Sequence, residues 1–480
     1  MSTSRKLLEE SRPFTPSSSI EPSRTSISAK DKEAVDAAAG GTYCLIGHTP
    51  LSMEHAHVIP RRMYNDQEAL ANLKRAWNIK SSHLSLNTPG NIIILQRRLH
   101  RLFDQGKWML IPDRKVIQRY YDALEHPRFP FIAAKRFSYR FIPHSDLVKF
   151  PIFQQEGINV QILSYPYGNL TITSHLQPRF AIIDAGRKLA SQEHKFFASD
   201  PNLLEDLDKI STIYMAWTSK PAQSVIRNKR SKDLPSGRKL RPIIHPYAKK
   251  TKKKTSSDTE MATSSRVHST RFWLEGYRSH DEQVCNPSKC LITGMENVRG
   301  CKLIDNAHLL RRASPKSLLT RLADHWREIE SGLDVNVPFN IIPLDTTIHH
   351  IFDQGLLLLL PLTGTLNTIN KYYQARRIHY FPKFPDEIYE YRLLGHPDLT
   401  GTSMPYILEG SIDLHEYPFT DFPVIQSTAH PKFIICNIGS KMEQPGMLDS
   451  YKGAYPHHAE ALQLVHDIYG FWKAPHINVD

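Results

Sequence analysis

Little cysteine, no long apolar run and no evenly spread positive charge: each of these shortages removes a class of protein. Five cysteines in 480 residues (Cys44, Cys285, Cys290, Cys301 and Cys436), odd in number and irregular in spacing, do not make a secreted disulfide scaffold and suit a reduced intracellular protein. The longest apolar runs, such as "LLLLLP", are far too short to cross a bilayer, so no membrane partner is expected. The first residues, "MSTSRKLLEESRPFTPSSS", lack the apolar centre of a signal peptide. The net charge of +13 is not spread along the chain. Residues 221–255 hold twelve Lys or Arg against one Asp, a net +11, which leaves only +2 for the remainder. The basic run 227–254 fits a nuclear-import signal, a tether for phosphates or a solvated spacer. Import is the preferred expectation, placing the protein in the nucleus.

What is present is a repeat. "GNIIILQRRLHRLFDQGKWMLIP" (90–112) and "FNIIPLDTTIHHIFDQGLLLLLP" (339–361) share Asn, His nine residues later, "FDQG" and a closing Pro without a gap. Trp77 precedes Asn91 by the same 14 residues that separate Trp326 from Asn340. Further on, "YRFIPHSDL" (139–147) answers "YRLLGHPDL" (391–399), and each copy closes on an amphipathic segment carrying Tyr214/Trp217 or Tyr469/Trp472. A unit this long is a duplicated domain, not a solenoid repeat. The expected division is a disordered tail at 1–38, one copy at 39–219, a basic disordered linker at 220–280 and a second copy at 281–475. In each copy a short β run leads into a helix whose Leu99, Leu102 and Phe103 share one face, followed by a strand and a mostly antiparallel β region. The expected class is α+β, with each copy a small mixed unit ending in a helix.

The polar residues common to both copies are Glu54, His57, Asn91, His100 and Asp104 against Asp305, His308, Asn340, His349 and Asp353. His100 and Asp104, like His349 and Asp353, are spaced i, i+4 on one helix face, opposite the apolar one. Arginine pairs follow the first His, Arg61/Arg62 and Arg311/Arg312, and would hold phosphate oxygens or lie solvated. Arg140 and Arg392 would do the same or brace the β region. Cys285, Cys290 and Cys301 fit no closed four-ligand zinc site, and Cys44 and Cys290 read as buried small apolar residues.

The ordered set "AH-[VL]-[IL]", "N-I-I-x-L" and "[LI]-H-x-[LI]-F-D-x-G", with the Trp before the Asn, resembles the HNH endonucleases of ββα-metal (His-Me finger) fold, in particular the modules common in fungal proteins. The resemblance implies hydrolysis of phosphodiester bonds in nucleic acid, DNA before RNA, with a divalent cation, Mg²⁺ or Mn²⁺ ahead of Zn²⁺. It puts His57 and His308 in the role of general base, which a neutral imidazole can fill near its ordinary pKa. It gives His100 and His349 to the metal, and lets Asn91 and Asn340 brace the loop and orient the base. Where many relatives carry an acid directly before the base, this chain has Ala56 or Ala307. Glu54 and Asp305 therefore stand as ligands or as carboxylates that orient one, and Asp104 and Asp353 as ligands or helix-end braces. A rival expectation is an HNH-derived binding or scaffold protein without turnover, which near-neutral modules would suit. The oligomeric state is left open.

Overall fold

The computed structural model describes residues 27–219 and 286–474, apart from 80–83, 127–128, 131, 133, 158, 169, 193–195, 197–200, 327, 329–332, 375–383 and 385–387. The basic linker, with its candidate import signal, and residues 1–26 thus lie outside the described residues. Residues 29–38, expected to belong to a disordered tail, are helical instead. Helix α1 (Ala29–Ala39) starts at Ser28, whose Oγ accepts from the Asp31 N–H at 3.1 Å, and stops at Gly40 in the left-handed region. Both are ordinary capping signals. Its polar surface hides a single buried Val35, which packs on Ile92 and Ile94.

Strands β1 (Met53–His57) and β2 (Ile92–Gln96) form an antiparallel pair with Glu54 opposite Leu95 and His57 opposite Ile92. Helix α2 (Gln67–Ala76) lies between them in sequence, and α3 (Arg97–Asp104) follows β2 directly. Side chains alternate across a strand, so Ile92 and Ile94 face α1 while Ile93 and Leu95 enter the main core. That explains the unbroken apolar run. On α3, Leu99, Leu102 and Phe103 are buried and Asp104 is exposed.

Strand β3 (Trp108–Pro112) then starts the extension, with α4 (Arg114–Asp122), β4 (Phe137–Pro143), β5 (Ile152–Glu156), β6 (Asn159–Leu163) and β7 (Thr171–Ser174). β3, β4 and β7 make an antiparallel sheet, and β5 pairs with β6. Helices α5 (Pro178–Gln192) and α6 (Pro201–Thr218) close the unit. Trp217 of α6 meets Trp77 edge-on at 5.9 Å, which accounts for both repeated tryptophans as core. The two helices approach so closely at Gly186 that an added Cβ would sit 2.3 Å from Cβ of Tyr214.

The second copy repeats this order with β8 (Ile304–His308), α7 (Lys316–Trp326), β9 (Ile341–Asp345), α8 (Thr346–Asp353), β10 (Leu357–Pro361), α9 (Thr363–Gln374), β11 (Tyr389–Gly395), β12 (Ser403–Leu408), β13 (Ser411–Glu416), β14 (Ile425–Ser427), α10 (Pro431–Met442), α11 (Met447–Ala454) and α12 (Ala459–Lys473). The register is the same: Asp305 lies opposite Leu344 and His308 opposite Ile341. Trp326 meets Trp472 at 5.6 Å, and Gly439 lies against Tyr469 as Gly186 does against Tyr214. The fold is therefore α+β and duplicated.

The copies also pack together within one compact unit. Helix α3 touches α8. Val298, Cys301 and Leu303 of the second copy join the first copy's core, and Leu51 and Phe153 of the first lie against the second's. Among the described residues no helix is long and apolar enough to cross a membrane.

Candidate active sites

In the first copy the end of β1 and the exposed face of α3 bring a line of polar groups together. Glu54 Oε2 is 2.8 Å from His100 Nδ1, and the other ring nitrogen, Nε2, is 3.4 Å from Asp104 Oδ2. Arg97 Nε donates to Glu54 Oε1 at 2.7 Å. The hydrogen bond to His100 and the Arg97 guanidinium hold the Glu54 carboxyl down at about 2 against the opposing effect of burial. The second copy has the same line: Asp305 Oδ2 lies 3.6 Å from His349 Nδ1, and His349 Nε2 lies 3.4 Å from Asp353 Oδ2. Burial of Asp305 works against its charge, yet His349 and Arg101 hold its carboxyl at about 2. Both strand pairs are regular, without a bulge at the acid.

His57 ends β1. Its Nε2 is 3.0 Å from Asn87 Oδ1 and 3.3 Å from Arg61 Nε. Arg61 Nη2 donates to the same Asn87 Oδ1 at 3.2 Å, which identifies the amide oxygen as the atom facing the imidazole. His57 Nε2 therefore faces an acceptor, Asn87 Oδ1, and a donor, Arg61 Nε, so that a partner stands ready for it in either protonation state. Burial holds the His57 pKa below the ordinary histidine value, the Asn87 bond opposes this, and the charges of Arg61 and His100 add to the depression. His308 is depressed in the same way, by burial first and then Arg312, with Asn336 opposing.

Asn91 and Asn340 are fully buried and reach no solvent. Asn91 Oδ1 accepts from the Ile59 N–H at 2.9 Å, while Nδ2 donates to the carbonyls of Leu86 and Ile59 at 2.9 and 3.3 Å. Asn340 repeats the clamp on Leu310 N–H, Leu310 C=O and Val335 C=O. Each amide therefore ties the loop after the first His to the loop before the second strand.

The arginines divide by what they touch. The arginine pairs are not equivalent as pairs, because Pro60 puts them one residue out of step. Arg61 and Arg312 each stand four residues after their His, and both aim Nε at its Nε2, at 3.3 and 3.0 Å. Arg62 is exposed, and Arg311 donates instead to the Asp353 carbonyl at 3.2 Å. Arg140 is paired with buried Asp206 of α6 and acts as a brace. Sequence reasoning also missed Asn87 and Asn336, although "NTPGN" and "NVPFN" place a second Asn four residues before the first in both copies.

Cys44, Cys290, Cys301 and Cys436 are buried free thiols, and Cys285 lies outside the described residues. Cys44 Sγ accepts from the Gly47 and Gln96 N–H groups at 3.3 Å. Among the described residues no three His, Cys, Asp or Glu side chains form a ready-made cation cage.

Residues 42–111 and 290–359 each match the family described as HNH endonuclease. No curated protein matches the chain, and no solved structure does.

Proposed function

Because the chain carries two HNH modules in tandem, we propose that it is a metal-dependent endonuclease that hydrolyses phosphodiester bonds in DNA at two sites. The observation that carries this reading is that the same line, carboxylate, imidazole, carboxylate, recurs in both modules beside a second imidazole whose charge is suppressed. A general base takes its proton as neutral imidazole, the form that this depression favours.

His57 and His308 are the bases. In the first site the ring is held at Nε2 between Asn87 and Arg61, and its unprotonated nitrogen takes the proton from the attacking water. As the ring becomes charged, the Asn87 oxygen is already in place to accept from it. The adjacent Arg61 has two effects: it keeps the resting ring neutral, and it offers its guanidinium to the phosphate. Asn91 and Asn340 do not meet substrate; by fixing the loop after the base they set where it points.

The donor atoms fit a hard divalent cation. His100 presents Nε2 beside an exposed Asp104 carboxylate, and its Nδ1 is held by Glu54, the arrangement that fixes the tautomer and orientation of a ligating imidazole. His100 with Asp104, and His349 with Asp353, would hold the ion; Glu54 and Asp305 would orient the imidazoles. So few protein ligands suit Mg²⁺ or Mn²⁺, which keep much of their water, better than Zn²⁺. The chemistry such a cation supplies is neutralisation of charge on the phosphate and on the departing 3′ oxygen.

The test is incubation of supercoiled plasmid, and of an RNA of equal length, with the protein in Mg²⁺ or Mn²⁺. DNA cleavage by wild type and none by the His57→Ala/His308→Ala double mutant is expected. Intact plasmid with both cations, or cleavage by the double mutant, overturns the assignment; faster loss of the RNA overturns the choice of DNA.

A further inference from the structure

The correspondence between the modules fails at the cation that holds the acid. In the first module Glu54 takes its arginine from its own helix, Arg97. The matching first residue of α8 is Thr346, which is buried and carries no charge. Asp305 is also one methylene shorter than Glu54. Its guanidinium comes from the other module: Arg101 of α3 donates from Nη1 to Oδ1 and from Nη2 to Oδ2, both at 3.0 Å. Nη1 also reaches the Lys302 carbonyl at 3.3 Å. This two-pronged grip fixes both oxygens of the carboxylate, which a single-point contact cannot do.

We infer that the second site is a composite of both modules, with Arg101 of the first acting as a positioning residue that holds Asp305 against His349. The contact runs through the α3–α8 packing that joins the modules. Oδ2, so gripped, is the atom 3.6 Å from His349 Nδ1, and the ring beyond it presents Nε2 to Asp353. Without Arg101 the short aspartate has no cation from its own helix to keep it turned to the imidazole. The dependence runs one way. The position matching Arg101 in the second module is His350, which is near enough to Glu54 and Arg97 to sense both charges. Glu54 nonetheless keeps its own hydrogen bonds to Arg97 and His100.

What the composite site does rests on the nuclease reading; what Arg101 does to His349 does not. The experiment therefore has two arms on the full-length chain. In the first, Arg101→Ala is added to His57→Ala, where only the second site cuts, and to His308→Ala, where only the first does. Plasmid nicking is expected to fall about 10- to 100-fold in the former background and much less in the latter, with partial recovery in Arg101→Lys. In the second arm, nitrogen NMR of the histidine rings follows Arg101→Ala without any substrate. The His349 ring resonances are expected to move and those of His100 to stay. Equal losses in both backgrounds, or His349 resonances that stay in place, overturn the inference. A protein that cuts nothing while His349 still responds to Arg101 would sink the nuclease reading alone.

Discussion

The two modules keep a strand carboxylate, a strand-end histidine, a helix histidine and a helix aspartate, and differ in how those groups are supported. The first shields its strand pair with α1 and holds Glu54 with Arg97 from the same helix. The second has no charge at the Arg97 position, and borrows Arg101 across the interface. Its strand differs to match. Ile92 and Ile94, buried under α1, correspond to Ile341 and Pro343, which are only half-buried. The shared polar set was thus duplicated while its support was divided: the first module holds its carboxylate with its own arginine and the second does not.

Substitutions at matched positions measure how far the modules are alike. Asn91→Ala removes three hydrogen bonds to the buried backbone of Leu86 and Ile59, which costs about 3 kcal/mol or more. Asn340→Ala is expected to cost the same, as measured by urea unfolding; a large disagreement would mean that the clamps are not equivalent. Gly186→Ala and Gly439→Ala each force a methyl against a tyrosine Cβ at 2.3 Å, an overpacking cost of about 1–3 kcal/mol in either module, visible as matched drops in Tm. Removing the amide that orients the base is a functional loss. Asn87→Ala in a His308→Ala background, and Asn336→Ala in a His57→Ala background, should each slow nicking about tenfold or more at the remaining site.

The smallest effect is on pH. The proposed mechanism uses His57 as neutral imidazole, and its pKa is depressed by burial, with Arg61 adding to the depression. Activity of the first site should therefore persist below the ordinary histidine pKa of about 6.5 and fall only as the ring protonates. Arg61→Ala removes one of the depressing charges, so the acid limb of kcat/KM shifts upward. Arg312→Ala should do the same to the second site. A limb that moves downward in either variant would contradict the role given to the arginine.

Much of the fold and the shared polar set was legible because a duplicated chain carries its own alignment. Equal spacings from Trp77 to Asn91 and from Trp326 to Asn340 mark positions that both copies keep. What compared badly was what the copies do not share. Helix α1 has no counterpart among the described residues, and its one buried valine gave no apolar periodicity, although the Ser28 and Gly40 caps were readable. The arginines were aligned as pairs because Pro60 shifts them by one, and only the geometry singles out Arg61 and Arg312. Asn87 and Asn336 are repeated at equal spacing, but they lie outside the His, Asn and His elements that define the motif. The reach of Arg101 to Asp305 joins residues 204 apart in sequence and in different copies, so no local spacing could disclose it.

The central claim is that each module contains its own catalytic base. The most direct measurement is the product formed from supercoiled plasmid by wild type, His57→Ala, His308→Ala and the double mutant, with Mg²⁺ or Mn²⁺. Wild type should yield linear DNA, each single mutant only the nicked circle, and the double mutant neither. Linearisation by either single mutant at the wild-type rate would contradict it.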